Sequence, residues 1–135
     1  MGSDTDGYLQ IGQVAERTEL SLKTIRHYDE VGLVQPSARS TGGFRLYTDA
    51  DVARLLLIRR MKPLGFTLVE MKQLLDAIDI LDDETTTADR RAAASADLLT
   101  YQDKARDSAE RLRRQLAYAE QFTDLLTART SAPPA

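Results

Sequence analysis

The chain has 135 residues, 42% of them hydrophobic, and a formal net charge of −3; that suffices for one modest domain and one extended element, and is short for two full cores or a large catalytic domain. With no cysteine and a single histidine, disulfides, thiolate metal sites and thiol redox sensing are excluded, and carboxylates are almost the only metal ligands left. No apolar run is long enough to span a bilayer, and the start MGSDTDGYLQ has neither the basic nor the apolar region of a signal peptide, so a cytoplasmic protein is expected.

Residues 1–8 read as a disordered or vector-derived N-terminus. The segment IGQVAERTE then repeats apolar positions at Ile11, Val14 and Ala15, a short helical period, and reaches Ser21, a favourable N-cap for a second helix. In SLKTIRHYDEVG, Leu22, Ile25 and Val31 point inward and Gly32 supplies a stop, which completes a helix-turn-helix layout. Pro36 ends that unit. Residues 37–47 carry the turn Thr41-Gly42-Gly43 between short flanks, read as a small hairpin.

Thr48 followed by Asp51 resembles a capping box, and Val52, Leu55 and Leu56 continue a helical period to about Met61. Pro63-Leu64-Gly65 interrupts it. Thr67 and Glu70 form a better box, opening a helix whose stripe is Leu68, Met71, Leu74, Leu75 and Ile78. Residues 81–96, acidic and then rich in Thr and Ala, read as a linker loop. From 97 to 129 there is no Gly or Pro. Leu98, Ala105, Leu112, Ala119 and Leu126 fall seven apart, with Ala109, Leu116 and Thr123 at companion positions, the pattern of a coiled coil. Such a helix extends nearly 50 Å, too far to bury its seam on so small a domain, and a second copy is the simplest partner. Residues 130–135 read as a flexible tail. The expected architecture is mainly α: a winged helix-turn-helix domain over 9–80, then a dimerising helix.

Residues 23–62 hold eight basic and four acidic side chains, whereas 76–135 hold twelve acidic and eight basic. A basic reader joined to an acidic partner module fits that segregation. In a helix-turn-helix the second helix enters the major groove, which makes Lys23, Thr24 and Arg26 candidates for base edges. Tyr28 either reaches a phosphate or belongs partly to the core. His27 meets the DNA backbone or packs, in preference to serving as a pH switch or metal ligand. In the hairpin, Arg39, Phe44, Arg45 and Tyr47 either enter the minor groove and clamp phosphates or pack on the adjacent helices. Arg59, Arg60 and Lys62 form a third set, or an ordinary solvated helix end.

The strings IGQVAERTELSLKTIRHYDEVGLVQP and GGFRLYTDADVARLLLIRRMKPLGFTLVEMKQLL, in order and without gaps, resemble the MerR family of bacterial transcription regulators over residues 9–78. The resemblance implies two helices and a wing, a helix pair forming a second wing, and an antiparallel coiled coil joining two subunits. It assigns Lys23, Arg26, His27 and Tyr28 to recognition-helix contacts, Arg39, Phe44, Arg45 and Tyr47 to the first wing, and Lys62 to the second. His27 departs from the family pattern, which often has Tyr or Phe there. The implied function is a homodimer on pseudo-palindromic promoter DNA, bending and untwisting it so that RNA polymerase engages both promoter elements.

Metal- and thiol-sensing members of that family use cysteines near the start of the long helix, and this chain has none. An appended ligand domain is not expected within the tail after residue 129, unless the chain is a piece of a longer protein. Any effector pocket is therefore expected from Leu75, Tyr101, Tyr118 and Phe122 with a neighbouring subunit, core packing being the other use of those side chains; the effector itself is unknown. The acidic cluster Asp79, Asp82, Asp83 and Glu84 lacks a calcium-loop pattern and reads as solvated. No cofactor is expected. With no cysteine, no second histidine, no phosphate loop and no paired carboxylates in an evident pocket, the chain is not expected to be an enzyme. The alternative is a coiled-coil adaptor or architectural protein without promoter-specific regulation.

Overall fold

The computed structural model describes residues 7–131; the expectations for residues 1–6 and 132–135 lie outside the described residues. A two-residue strand, β1 (Leu9–Gln10), leads directly into α1 (Ile11–Thr18). Gln13 Oε1 accepts the Gln10 backbone N–H at 2.9 Å and so satisfies one donor at the helix start. At the other end the buried Thr18 hydroxyl donates to the Val14 carbonyl (2.8 Å) and accepts from Leu20 N–H (3.3 Å). Glu19 follows with φ 57°, a left-handed conformation that terminates α1 and aims the chain into the next helix.

In α2 (Leu22–Glu30), Ser21 Oγ accepts from Thr24 N–H at 3.0 Å, the expected cap. Gly32, at φ 75°, turns the chain so that Leu33 N–H and Val34 N–H both donate to the Tyr28 carbonyl (2.9 and 3.2 Å). Both following side chains are thereby buried. The wing consists of β2 (Ala38–Arg39) and β3 (Arg45–Tyr47). It closes through Ser40 N–H to the Phe44 carbonyl and Gly43 N–H to the Ser40 carbonyl, both 2.9 Å. The hairpin is not isolated, because β3 also pairs antiparallel with β1, in register Leu9 to Tyr47, giving a three-stranded sheet ordered β1-β3-β2.

Helix α3 (Asp49–Met61) starts at the Thr48–Asp51 capping box and α4 (Leu68–Asp82) at the Thr67–Glu70 box. Between them Lys62–Leu64 forms one turn of 3-10 helix. One hydrophobic core joins these elements: Val14 from α1, Ile25 and Tyr28 from α2, Tyr47 from the sheet, Leu55 and Ile58 from α3, and Met71 and Leu75 from α4. Burying a side chain of this size contributes about 1.5–3 kcal/mol.

The linker expected over 81–96 is corrected. Helix α4 runs to Asp82, the connection shrinks to residues 83–87, and α5 occupies Ala88–Ser131. Two causes are visible. Thr87 Oγ1 accepts from Arg90 N–H at 3.2 Å, an N-cap, and the alanine-rich run after it has the highest intrinsic helix propensity. Arg91 then reaches back to the carbonyls of Leu81 (3.1 Å) and Asp83 (3.2 Å), satisfying acceptors left open at the end of α4. At about 1.5 Å per residue, α5 is roughly 66 Å long.

Only the first half of α5 lies on its own subunit. Ala94, Tyr101 and Ser108, seven apart, are buried, and Ser108 Oγ donates to the Leu64 carbonyl at 2.8 Å. Tyr101 donates its hydroxyl to Gln73, and Lys104 Nζ donates to Glu70 Oε1 at 2.6 Å. From Arg111 to Ser131 every residue is exposed. The expected dimer positions divide accordingly. Leu98, Ala105 and Ala109 are half-buried, whereas Leu112, Leu116, Ala119 and Leu126 are open. Among the described residues no helix is long and apolar enough to cross a membrane.

Candidate nucleic-acid interface

Ile25, Tyr28 and Asp29 of α2 face inward, which leaves Lys23, Arg26 and His27 on the exposed side. Lys23 and Arg26 are one turn apart on that side. Thr24 is half-buried, and its Oγ1 accepts from Ser21 Oγ at 2.9 Å, so its hydroxyl belongs to the helix cap. His27 lies beside Tyr28, their ring centroids 6.1 Å apart. Tyr28 itself retains 4% exposure, and burial raises its phenol above the ordinary value.

In the wing, Phe44 is 70% exposed at the tip, whereas Tyr47 has no exposed surface at all. The expected DNA contact by Tyr47 is therefore corrected: as the central strand, β3 turns this ring into the core between α1 and α3. Its hydroxyl is buried and has no hydrogen-bond partner among the described residues. Burial, followed by the field of Asp29, raises its phenol.

Ion pairing separates the cations of the basic segment. Arg39 and Arg45 converge on Asp29, at 3.2 and 2.6 Å. Arg54 pairs with Asp79 at 2.6 Å and Arg59 with Glu19 at 2.5 Å. Lys23, Arg26, Arg60 and Lys62 make no ion pair among the described residues and are all exposed. One pair of open cations thus sits on α2 and another where α3 passes into the 3-10 turn. Sequence reasoning missed Asp29 as the shared partner of two wing arginines. Its adjacency to His27 and Tyr28 drew no notice, because contacts 10 and 16 residues apart leave no local pattern.

The four expected effector residues do not come together in one chain. Leu75 and Tyr101 are core residues, while Tyr118 and Phe122 are 67% and 62% exposed on the distal half of α5, Tyr118 about 25 Å along the helix from Tyr101. Of the four, Tyr101 lines an open cleft of about 300 Å³ between α3, α4 and α5, together with Leu57, Leu64, Leu74, Leu98 and Gln102 among others.

The helix-turn-helix and wing coincide with a family model described as "MerR HTH family regulatory protein", matched over residues 9–78, and a second, "MerR, DNA binding", matches residues 52–127. The chain belongs to the MerR family. MerR relatives of known role are similar to it along different lengths. The transcriptional regulator HmrR of Rhizobium leguminosarum is 37% identical over 110 residues, 82% of each chain. The transcriptional activator mta of Bacillus subtilis is 48% identical over 67 residues, 50% of this chain and 26% of mta. This chain thus matches about a quarter of the one relative and most of the other. HiNmlR, a MerR family regulator lacking the sensor domain and solved bound to promoter DNA, has the same fold. Its TM-score is 0.61 at 22% identity, covering 92% of this chain and 88% of that one. The MerR assignment makes this protein a DNA-binding transcription regulator.

Proposed function

We propose that two copies pair antiparallel through α5, the exposed distal half of each lying along residues 98–112 of the other, and set their α2 helices into the major groove at the two ends of a pseudo-palindromic promoter site, bending and untwisting the duplex for RNA polymerase. The observation that carries this reading is the pairing of open cations, Lys23 with Arg26 and Arg60 with Lys62, on the same subunit that leaves an apolar helix end uncovered. Arg26 reads a base edge and Lys23 a base or phosphate; Arg60 and Lys62 hold the backbone further out. The wing follows with Arg39, Phe44 and Arg45.

The antiparallel sense is what membership of the MerR family implies, and the apolar seam accommodates it. Positions 98, 105, 112, 119 and 126 are symmetric about Leu112, so an antiparallel pair centred there sets Leu98 opposite Leu126 and Ala105 opposite Ala119 of the partner subunit. The same register brings Phe122 of the partner subunit opposite Gln102, over the cleft between α3 and α5. The apolar cleft supports that role as a socket within the dimer. HiNmlR, of the same fold, engages promoter DNA without a sensor domain, which supports the same use of this chain.

The test is selection of duplexes from a random library by the full chain, followed by cleavage footprinting of the enriched sequence. Two protected half-sites flanking a hypersensitive, distorted centre are expected, with affinity falling linearly in log salt at about 0.9 per phosphate neutralised. Binding without sequence enrichment, or enrichment without distortion, counts against the promoter-bending reading.

A further inference from the structure

Asp29 ties the wing to the recognition helix. It sits in the last turn of α2 with 8% exposure. Its Oδ2 accepts from Arg45 Nε at 2.6 Å and from Arg39 Nη2 at 3.2 Å. These arginines stand opposite each other across the β2–β3 ladder, and Arg39 Nη1 also donates to the Gly43 carbonyl at the wing tip, 3.3 Å away. A single carboxylate therefore crosslinks α2, both strands of the wing and its turn. The three side chains together keep a net charge of +1.

Charge and geometry make opposite statements about this residue. As a charge, a carboxylate between helix and wing repels phosphates, and its removal strengthens any DNA binding governed by electrostatics alone. As geometry, it consumes Nε of Arg45 and one Nη of Arg39, fixing two long side chains that otherwise sample many rotamers. No acceptor among the described residues engages either Nη of Arg45, whose side chain is 24% exposed, so that edge of the guanidinium is open to a phosphate.

We propose that Asp29 is a positioning residue for DNA binding: it sets the angle of the wing against α2 and holds the Arg39 and Arg45 guanidinium groups ready as a phosphate clamp. This inference rests on the DNA-reading function proposed above. Asp29 touches no DNA in this scheme and acts through the two arginines, in a pre-organised arrangement that lowers the ordering cost at binding.

The test uses the full chain, a duplex enriched from the random library by the wild-type protein, and an unrelated duplex of equal length and composition. Asp29→Asn is expected to weaken binding to the enriched duplex about tenfold, the scale of two unordered long side chains, while leaving binding to the unrelated duplex equal or stronger. Asp29→Glu, which keeps the carboxylate, is expected to restore most of the loss. Arg45→Gln should cost less in the Asp29→Asn background than in the wild type, because the clamp is already released. An Asp29→Asn protein that binds the enriched duplex as tightly as wild type, or more tightly, overturns the proposal. If circular dichroism shows that variant unfolded, Arg45→Lys decides instead: it retains the charge and loses the Nε donor, so a tenfold loss supports the clamp and unchanged affinity overturns it. A wild-type chain that enriches no duplex removes the DNA-reading function itself, whereas the mutant outcomes bear on the clamp alone.

Discussion

At the scale of single residues, alternation and exposure were legible only where one face of a helix meets water. The exposed placement of Lys23 and Arg26 agrees with the face read from Ile25, but Leu22 and Val31, expected inward, are exposed, and Tyr28 and Asp29 complete the buried face instead. Tyr47 was not legible. A tyrosine three residues beyond an exposed Phe44 looks like a contact residue until β1 is seen to pair on the far side of β3, which makes β3 a central strand. Its buried, unpartnered hydroxyl yields a direct expectation: Tyr47→Phe removes an unsatisfied polar group and stabilises the fold by about 1 kcal/mol. Chemical denaturation reads this as a raised midpoint at unchanged slope, and DNA affinity should not move. A lowered midpoint would mean that the hydroxyl has a partner. The open cations give a contrasting pair. Arg26→Ala is expected to cost about 1–3 kcal/mol on the enriched duplex and to relax base preference at one position, whereas Lys62→Ala should weaken all sequences alike and reduce the salt slope by about 1. Titrations at several salt concentrations separate them, and a uniform effect from Arg26→Ala would remove its base-reading role.

At the scale of elements, helix starts were the most legible feature, since a cap is a local chemical statement: Ser21, Thr48 and Thr67 each cap the helix expected of them. The start of α5 was obscured because acidic and threonine-rich residues resemble a loop, and the long-range clasp by Arg91 on the end of α4 has no sequence signature. The union of α4 and α5 carries a pH dependence. Hydrogen bonding from Lys104, then from the Thr67 backbone, holds the Glu70 carboxyl below its ordinary value. A carboxyl depressed in the folded state contributes stability above its unfolded value and loses it as pH falls through the folded one. Thermal melts in descending pH should therefore show a decline through the acidic carboxylate range that becomes shallower in Lys104→Met. The ammonium also lies 5.0 Å from the Phe66 ring centroid, so the variant should be less stable at neutral pH as well. Superimposable pH profiles for the two proteins would argue that the pair contributes nothing to folding.

At the scale of the whole molecule, the heptads led to the expectation of a partner for α5, and in the structure the helix is exposed from Arg111 onward. The seam positions before Ser108 are half-buried on their own subunit, so in the proposed register the exposed stretch beyond Arg111 of one copy lies along the 98–111 face of the other. Leu112, at the centre of the symmetric register, is the sensitive position: Leu112→Asp places two carboxylates together at the dyad and should convert a dimer to monomers. Sedimentation velocity checks this, and an unchanged dimer would show that the helices cross elsewhere. The monomeric variant should also lose operator affinity far beyond the effect of any single contact, because linkage of two half-sites is lost.

The hydrogen bond from Ser108 to the Leu64 carbonyl has a mechanical meaning. It grips the chain two residues beyond Lys62, at the end of the 3-10 turn that follows α3. Helix α5 is therefore a tiller: a torque applied near the dyad travels along a stiff rod and arrives at the segment bearing Arg60 and Lys62, with no flexible joint between. In the proposed dimer, two such rods crossing at one dyad would gear the phosphate grips of the two half-sites to each other, and the distance between those grips would be set by the angle at which the rods cross.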